Sequence, residues 1–311
     1  MTIDHSNVLY LLEYGTGIAS LIRIGVDGYV SRISLGGMVG GQSRNGICVD
    51  SVNNVYIADT EANKIYRYRT NGVLEVFAGS GNAGGIDGNG IFTSFSSPKA
   101  IMSDTADNIY VFDGGYRIRR INQNRDVVTI AGHYTNGTDM DGAGTNSAFY
   151  LVSGMCSDGA GNIYMACFSG VCGESIRKMN ASTNVTTIAG SFTQNGYADG
   201  VGSASRFKGG GNEGICFSQG KIFLADYGNC RIRNITNNPT AQVVLPANLS
   251  LGSYAGLQIT GTVGRTYQIQ SSPNTSSWTN TATILLNSSP YLWIDQNPIQ
   301  GNKYYRALLL P

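Results

Sequence analysis

One property of this 311-residue chain narrows its folds more than any other: it repeats itself. A short apolar block recurs as Gly46-Ile-Cys-Val-Asp50, Ala100-Ile-Met-Ser-Asp104, Gly154-Met-Cys-Ser-Asp158 and Gly214-Ile-Cys-Phe-Ser218. A second block follows each, as Asn54-Val-Tyr-Ile-Ala-Asp59, Asn108-Ile-Tyr-Val-Phe-Asp113, Asn162-Ile-Tyr-Met-Ala-Cys167 and Lys221-Ile-Phe-Leu-Ala-Asp226. A third comes next, at Lys64-Ile65, Arg117-Ile-Arg119, Ser175-Ile-Arg177 and Arg231-Ile-Arg233. A fourth closes three units, at Val73 to Gly79, Val127 to Gly132 and Val185 to Gly190. Asn54, Asn108 and Asn162 are spaced by 54 residues. A degenerate first unit takes Thr2-Ile3-Asp4, Val8 to Glu13, Leu21 to Ile24 and Tyr29 to Leu35, and the fifth ends on Gln242-Val243-Val244.

Each block is short, rich in Val, Ile, Tyr and Phe, and bounded by Gly, Asn or Asp, the pattern of antiparallel strands. A lone four-stranded sheet cannot bury both faces. Sheets repeated about an axis bury each other, which is the propeller solution, and the period is propeller-sized. Composition agrees: 42 Gly and 18 Tyr suit tight turns and strands, and charged residues are only 13%, about half the usual share of roughly 25%. The expected fold is all-β, with a propeller of five visible four-stranded units over residues 1–246 and a small sandwich over 247–311. In the latter, short strands with turn-rich separators such as Ser271-Ser-Pro-Asn-Thr275 lose the period.

These blocks resemble NHL-repeat propellers of the long-loop bacterial type. The carriers are Gly-Ile-x-x-Asp, Asn-Ile-Tyr-x-Ala-Asp, Arg-Ile-Arg and Thr-Ile-Ala-Gly. The connecting loops, Asp87-Gly-Asn-Gly90 to Phe95, Asp141-Gly-Ala-Gly144 to Phe149 and Asp199-Gly-Val-Gly202 to Phe207, carry it too. The resemblance covers roughly the first 245 residues. It implies a ring commonly of six blades, so that either a blade is missing or the ring has five. The tail resembles a C-terminal module of secreted planctomycete and verrucomicrobial proteins, through Gly261 to Tyr267, Ser277-Trp278 and Tyr304-Tyr-Arg-Ala307. Trp278 and Tyr305 are expected in its core. A carbohydrate-stacking role for Trp293 is the minority reading.

Function is far less legible, because one fold hosts many functions. Net charge is +1, with no block of like charge, so no nucleic-acid partner is expected. RNA binding, which the NHL resemblance brings in as a third reading, finds only Arg117, Arg119, Arg120, Arg231 and Arg233. No apolar run is long enough to span a bilayer. No signal peptide is visible, and the resemblances imply an extracellular or cell-surface protein whose leader is not part of this sequence.

Catalytic chemistry finds little support. Related propeller lyases use several histidines on zinc; this chain has two, His5 and His133, neither in a repeated position. Gluconolactonase-like propellers use a Glu-Gly start of a first strand, which Glu213-Gly214 resembles. Its ring neighbours at the channel mouth would be Asn45, Lys99 and Ser153, and Lys99 opposes a metal there. A metal-dependent hydrolase or lyase near Glu213 is therefore the alternative reading, and no cofactor is expected. The loops at Asp87, Asp141 and Asp199 hold too few oxygens for calcium; Asp141 with Asp139 comes nearest. Asp59, Asp113 and Asp226 end second strands, where carboxylates cap hairpin turns.

Cys48, Cys156 and Cys216 share one position of the first strand, one per unit, and read as small buried side chains. Cys167 replaces the repeated Asp, and a Cys167–Cys172 disulfide is expected in an oxidising compartment, with Cys172–Cys230 as its alternative. The favoured function is a non-catalytic binding or scaffold protein. Its blade loops, Asp59 to Lys64, Asp113 to Arg117 and Asp226 to Arg231, would meet a protein, a glycan or further copies of the chain, including in a surface layer or filament.

Overall fold

The computed structural model describes residues 1–14, 19–36, 46–133, 139–168, 173–209, 214–236, 256–259, 262–286, 291–294 and 304–310. Two compact units emerge, Met1–Asn237 and Asn238–Pro311. Among the described residues, the first holds five antiparallel sheets, each a meander in chain order. Sheet one is Thr2–Ile3, Leu9–Tyr14, Ala19–Ile24 and Val30–Ser34; sheet two is Ile47–Val49, Val55–Asp59, Lys64–Tyr68 and Leu74–Ala78. Sheet three is Ile101–Ser103, Ile109–Asp113, Arg117–Ile121 and Asp126–Ala131; sheet four is Leu151–Ser157, Ile163–Phe168, Glu174–Met179 and Asn184–Ser191. Sheet five is described through its third strand, as Ile215–Ser218, Lys221–Asp226 and Arg231–Thr236. The fourth-strand residues 242–244 expected from the repeat lie outside the described residues.

The repeated Asp and Asn-Ile-Tyr blocks explain each first hairpin. Asp50 Oδ1 accepts the N–H groups of Val52 and Asn54, at 3.1 and 2.8 Å, while its Oδ2 accepts from the Asn54 amide and the Tyr56 hydroxyl, at 2.8 and 3.1 Å. Asp104 makes the same four bonds to Ala106, Asn108 and Tyr110, and Asp158 to Ala160, Asn162 and Tyr164. The third turn residue is left-handed in every case, at Asn53, Asp107 and Gly161, a conformation that Asn, Asp and Gly adopt at least cost.

The first strands pack in succession, sheet one on two, two on three, three on four and four on five. Alternate residues of a second strand serve two interfaces. Val55 and Ile57 face sheet one, while Tyr56 and Ala58 pack toward sheet three with Ile109 and Val111. Phe112 and Ile118 meet Val152 and Met165, and Ala166 and Ile176 meet Phe207 and Leu224. Burial on both faces is why these strands read as continuous apolar runs rather than alternating ones, each buried large side chain contributing roughly 1.5–3 kcal/mol. Cys48 is buried among them, as is Met102 at the equivalent position; Cys156 is half-buried and Cys216 exposed.

Linking loops add to the sheets that follow them. Gly88–Asn89 pairs with the outer strand of sheet three, and Gly142–Ala143 with that of sheet four.

Among its described residues, the second unit holds two small antiparallel sheets. One pairs Gly256–Ile259 with Tyr291–Ile294; the other orders Thr279–Leu285, Thr266–Ser272 and Tyr304–Leu309. They share a core of Ile259, Ile269, Ile284 and Leu286, with Tyr305 packed against it. Trp278 differs from expectation. It sits half-buried at the end of a turn ordered by the Asn274 side chain, its indole N–H donating to the Thr275 carbonyl at 3.1 Å and Arg306 lying 4.3 Å over its ring. A turn residue escapes the strand alternation that would have aimed it inward. The Trp293 side chain lies outside the described residues.

Candidate functional site

The second hairpins of the sheets and the loops linking consecutive sheets gather at one end of the first unit. Thr60 donates to the Pro98 carbonyl at 2.8 Å, Ser97 N–H to Asn63 Oδ1 at 2.8 Å, and the Asn229 amide to the Gly196 carbonyl at 2.8 Å. Beneath this surface lies a device that the sequence reading did not foresee.

Arg119, from the third strand of sheet three, is completely buried. All five of its N–H donors are used. Nη1 donates to Asp113 at 2.8 Å and to the Ser94 carbonyl at 3.0 Å; Nη2 donates to Asp87 at 2.7 Å and to the Ile86 carbonyl at 3.0 Å; Nε donates to Asp87 at 3.2 Å. The Phe95 ring lies 5.1 Å from the guanidinium carbon. Asp87 also accepts the N–H and hydroxyl of Thr129, at 2.9 and 3.0 Å. One arginine thus staples the linking loop to two strands of the sheet, and the planar five-donor guanidinium suits this where a lysine would not. Sheet five repeats it. Arg233 bonds Asp226 at 2.8 Å, Asp199 at 2.6 Å and the carbonyls of Arg206 and Ala198 at 3.1 and 2.9 Å, over Phe207. The cation held by the Asp87 and Asp199 loops is an arginine.

Sheet four solves the same problem with different residues. Cys167 stands where Asp113 and Asp226 stand, so Arg177 lacks its strand carboxylate. Asp139, in the linking loop, supplies one instead at 3.5 Å, and Asp141 a second at 3.0 Å. The carbonyls of Ala148 and Met140 accept at 2.6 and 2.5 Å, with Phe149 and Phe192 against the guanidinium. Burial pushes the Asp139 carboxyl up to about 6, against the pull of Arg177 and the Tyr150 N–H. Burial also raises Asp113, whose carboxylate is held down by the Ser96 N–H and Arg119.

These findings relocate the residues expected to bind. Asp59, Asp113 and Asp226 are fully buried. Asp59 caps its turn through the Ala62 N–H at 3.0 Å, but Asp113 and Asp226 also reach back to the incoming loops, at Ser96 N–H (2.6 Å) and Lys208 N–H (2.9 Å). Lys64 and Arg117 are half-buried and Arg231 is exposed; Arg117 donates to the Gly85 carbonyl at 3.1 Å, and Arg231 lies 4.7 Å over the Tyr197 ring. Burial takes Arg119 and Arg233 out of the modest basic face considered for RNA. At the expected channel mouth, Asn45 and Glu213 lie outside the described residues. Lys99 is half-buried and Ser153 donates to the Ala166 carbonyl at 3.1 Å. Cys167 and Cys230 are free thiols in this structure, and Cys172, the partner common to both expected disulfides, lies outside the described residues. The Cys167 side chain is packed into the protein, Sγ 3.9 Å from the Met165 carbonyl, and burial raises its thiol.

This end presents several tyrosines outward. Tyr150, Tyr197 and Tyr227 are 36%, 52% and 65% exposed, and Tyr116 lies 6.4 Å from Tyr150, ring to ring. The signal for the staples was present in the sequence: an Asp-Gly loop precedes each sheet whose third strand carries Arg-Ile-Arg or Ser-Ile-Arg. The exposed tyrosines carry no repeat signal.

No family model matches the chain, and no curated protein matches it. Solved structures do. A structural genomics protein of unknown function from Bacteroides thetaiotaomicron is similar with a TM-score of 0.58 at 19% identity, covering 75% of this chain and 57% of that one. An auxiliary nutrient binding protein from the same species gives 0.53 at 16%, covering 72% and 57%. Another from Bacteroides ovatus gives 0.54 at 17%, covering 72% and 58%. The chain spans less than two thirds of each, and the likeness is one of fold, an all-β propeller.

Proposed function

We propose that this chain is a non-catalytic binding or scaffold protein, acting outside the cell, whose ligand, a glycan or a protein surface, meets the hairpin end of the propeller. One observation carries the reading. Two of the repeated carboxylates that end the second strands, Asp113 and Asp226, are consumed by buried arginines, while tyrosines on a rigid base face outward beside Arg117 and Arg231. Exposed tyrosines stack on sugars and on apolar protein surface at low entropic cost, and they are enriched at recognition sites. Two proteins of similar fold are described as auxiliary nutrient binding proteins, which agrees with a binding role. Self-association into a layer or filament is a form of the same reading.

The test is a glycan array and a light-scattering measurement on the full chain, followed by Tyr150→Ala, Tyr227→Ala and Arg117→Ala. A bound glycan, or a concentration-dependent assembly, should weaken at least about tenfold in one or more variants, roughly 1.4 kcal/mol. Turnover of a lactone or ester with a stoichiometric, tightly bound divalent ion overturns the reading in favour of a hydrolase or lyase at the channel. So does binding that ignores all three substitutions.

A further inference from the structure

The repeat supplies its own controls, because a residue type that one copy carries and the others lack is not required by the fold. Two such departures meet where sheet two adjoins sheet three. The turn before the outer strand carries a left-handed residue in sheets one to four, at Gly28, Gly72, Arg125 and Thr183. Glycine takes that conformation freely; arginine takes it under strain. The Arg125 guanidinium crosses to sheet two, donating to Glu75 at 3.1 Å and to the Val76 carbonyl at 3.5 Å. Arg67 and Arg69 each donate to the same carboxylate through Nε at 2.7 Å. Glu75 stands where the other sheets have Ser31, Val128 and Thr186, and Arg69 where they have Gly25, Asn122 and Asn180. Among the described residues, three guanidinium groups thus share one carboxylate, which leaves local positive charge in surplus. Asp126 is engaged by the amides of Asn89 and Asn122, at 2.8 and 2.9 Å, and Asp50 is buried under its own turn bonds. The Arg69 and Arg125 side chains are 42% and 34% exposed, so the surplus faces solvent.

The second departure is apolar. Gly90–Phe92, Gly144–Asn146 and Gly202–Ala204 are the same short 3-10 turn in three linking loops, each opening on a left-handed glycine. Thr145-Asn146 and Ser203-Ala204 follow that glycine in two copies, and Ile91-Phe92 in the third. Ile91 is 55% and Phe92 80% exposed, so neither serves the core. They stand beside the arginines: the Gly90 N–H donates to the Arg125 carbonyl at 2.9 Å, and Arg125 Cδ passes 3.9 Å from where a Cβ on Gly90 would lie.

We propose that this rim docks on an anionic lipid surface, with phosphate headgroups against Arg67, Arg69 and Arg125 and the side chains of Ile91 and Phe92 entering the boundary between headgroups and acyl chains. Guanidinium groups suit phosphate, because their parallel N–H donors match its oxygens. A soluble anion would account for the arginines and leave the exposed apolar pair without a partner. A lipid surface offers both chemistries at one boundary: negative potential that attracts the cations, and apolar depth that takes up the pair. The turns that carry Arg69 and Arg125 lie at the opposite end of their third strands from the hairpins at 59–64 and 113–117. Docking there is separate from binding at the tyrosine surface, and either proposal stands if the other fails.

The test is flotation of the full chain with vesicles of phosphatidylcholine alone and of equal parts phosphatidylcholine and phosphatidylglycerol, at low and at physiological salt. Binding to the anionic vesicles and not to the neutral ones is expected, weakening as salt rises because exposed charges are screened. Arg125→Gly restores the glycine of sheets one and two and should weaken binding about fivefold, as for one cation lost near an anionic surface. Phe92→Asn installs the residue of sheet four and should weaken it at least about tenfold. Both replacements already occur in folded copies of the unit, so both variants should fold, which circular dichroism checks. Val26→Ser removes an apolar residue of sheet one that is 76% exposed and should leave binding unchanged. The proposal is overturned if anionic vesicles do not float the chain at low salt, if neutral vesicles float it equally, or if either Arg125→Gly or Phe92→Asn leaves binding unchanged. Calorimetry with inorganic phosphate separates the other source: phosphate binding that Arg125→Gly abolishes, without vesicle binding, overturns the lipid surface in favour of a site for a free anion.

Discussion

Sheets three and four bury an arginine at the same position and neutralise it from different places. In sheet three the carboxylate comes from the end of the second strand, Asp113, 2.8 Å from Arg119. In sheet four that position is Cys167, and the carboxylate comes from Asp139 in the linking loop, 3.5 Å from Arg177. The position equivalent to Asp139 in sheet three is Gly85, where an added Cβ would stand 1.5 Å from Arg117 Nη1. In sheet four the counterpart of Arg117 is Ser175, which leaves room. Three substitutions therefore belong together: aspartate to cysteine, glycine to aspartate and arginine to serine. What the fold conserves between its copies is charge compensation around a buried guanidinium, not the residue that supplies it. The physical reason is the cost of an unpaired buried charge, which exceeds the cost of moving the partner.

The largest expected effect tests this directly. Asp113→Ala leaves Arg119 buried, with Asp87 as its remaining carboxylate, and should cost about 3–5 kcal/mol, as for one broken partner of a buried pair. Cys167→Ala, at the matching position of sheet four, removes no charge and should cost no more than about 1–2 kcal/mol, chiefly a small cavity. The check is the midpoint of the propeller's urea unfolding transition for both variants. Equal losses would break the comparison, since they would mean that the aspartate is needed for packing and not for charge.

Much of this was legible in the sequence, and the boundary of legibility is physical. Strand positions were readable because apolar blocks bounded by Gly, Asn and Asp recur at a fixed period. The turn-capping carboxylates were expected too, although the four-bond caps fall on Asp50, Asp104 and Asp158, in the turn after the first strand. The loop partner of Arg119 was not readable, since Asp87 lies 32 residues before it and the two meet only when the linking loop folds back over the sheet. The burial of Cys167 was not readable either, since in sequence it stands at the turn position that aspartates take in the other units. Trp278 was expected in the core from its type, and the Asn274 turn places it at the rim. The tyrosine patch was least legible of all: Tyr116, Tyr150, Tyr197 and Tyr227 stand at unequal positions of their units, so no periodicity marks them.

The second expected effect concerns pH, and it is specific to sheet four. Asp139 is raised to about 6 by burial, with Arg177 and the Tyr150 N–H pulling it down and Asp141 pushing it up. The folded state therefore holds this proton more tightly than the unfolded chain, whose aspartates titrate near 3.9. Its contribution to stability is greatest below about pH 4 and is lost as pH rises toward and through about 6, by no more than about 3 kcal/mol. Asp113 is also raised and adds a slope of the same sign. Asp139→Asn should thus flatten part of the dependence between about pH 4 and pH 6.5, read by denaturant unfolding of both proteins at several pH values. An unchanged slope would mean that Asp139 is solvated and that Arg177 is neutralised by Asp141 alone.

The smallest effect asks whether the loop clamp is independent of how the arginine is neutralised. Thr129 and Thr187 bond Asp87 and Asp141 through both N–H and hydroxyl, with closely matched distances of 2.9 and 3.0 Å in one sheet and 2.7 and 3.0 Å in the other. Valine keeps the shape and the N–H and removes only the hydroxyl bond. Each carboxylate is about half exposed, so its lost bond is replaced in part by water, and each substitution should cost about 0.5–1 kcal/mol. If Thr129→Val and Thr187→Val cost the same within error, the clamp is a module common to both sheets. A clearly larger loss in sheet four would mean that Asp141 bears more of the load there, because Asp139 stands 3.5 Å from Arg177 where Asp113 stands 2.8 Å from Arg119. The weaker strand-side pair would then be what makes the loop-side hydroxyl count for more.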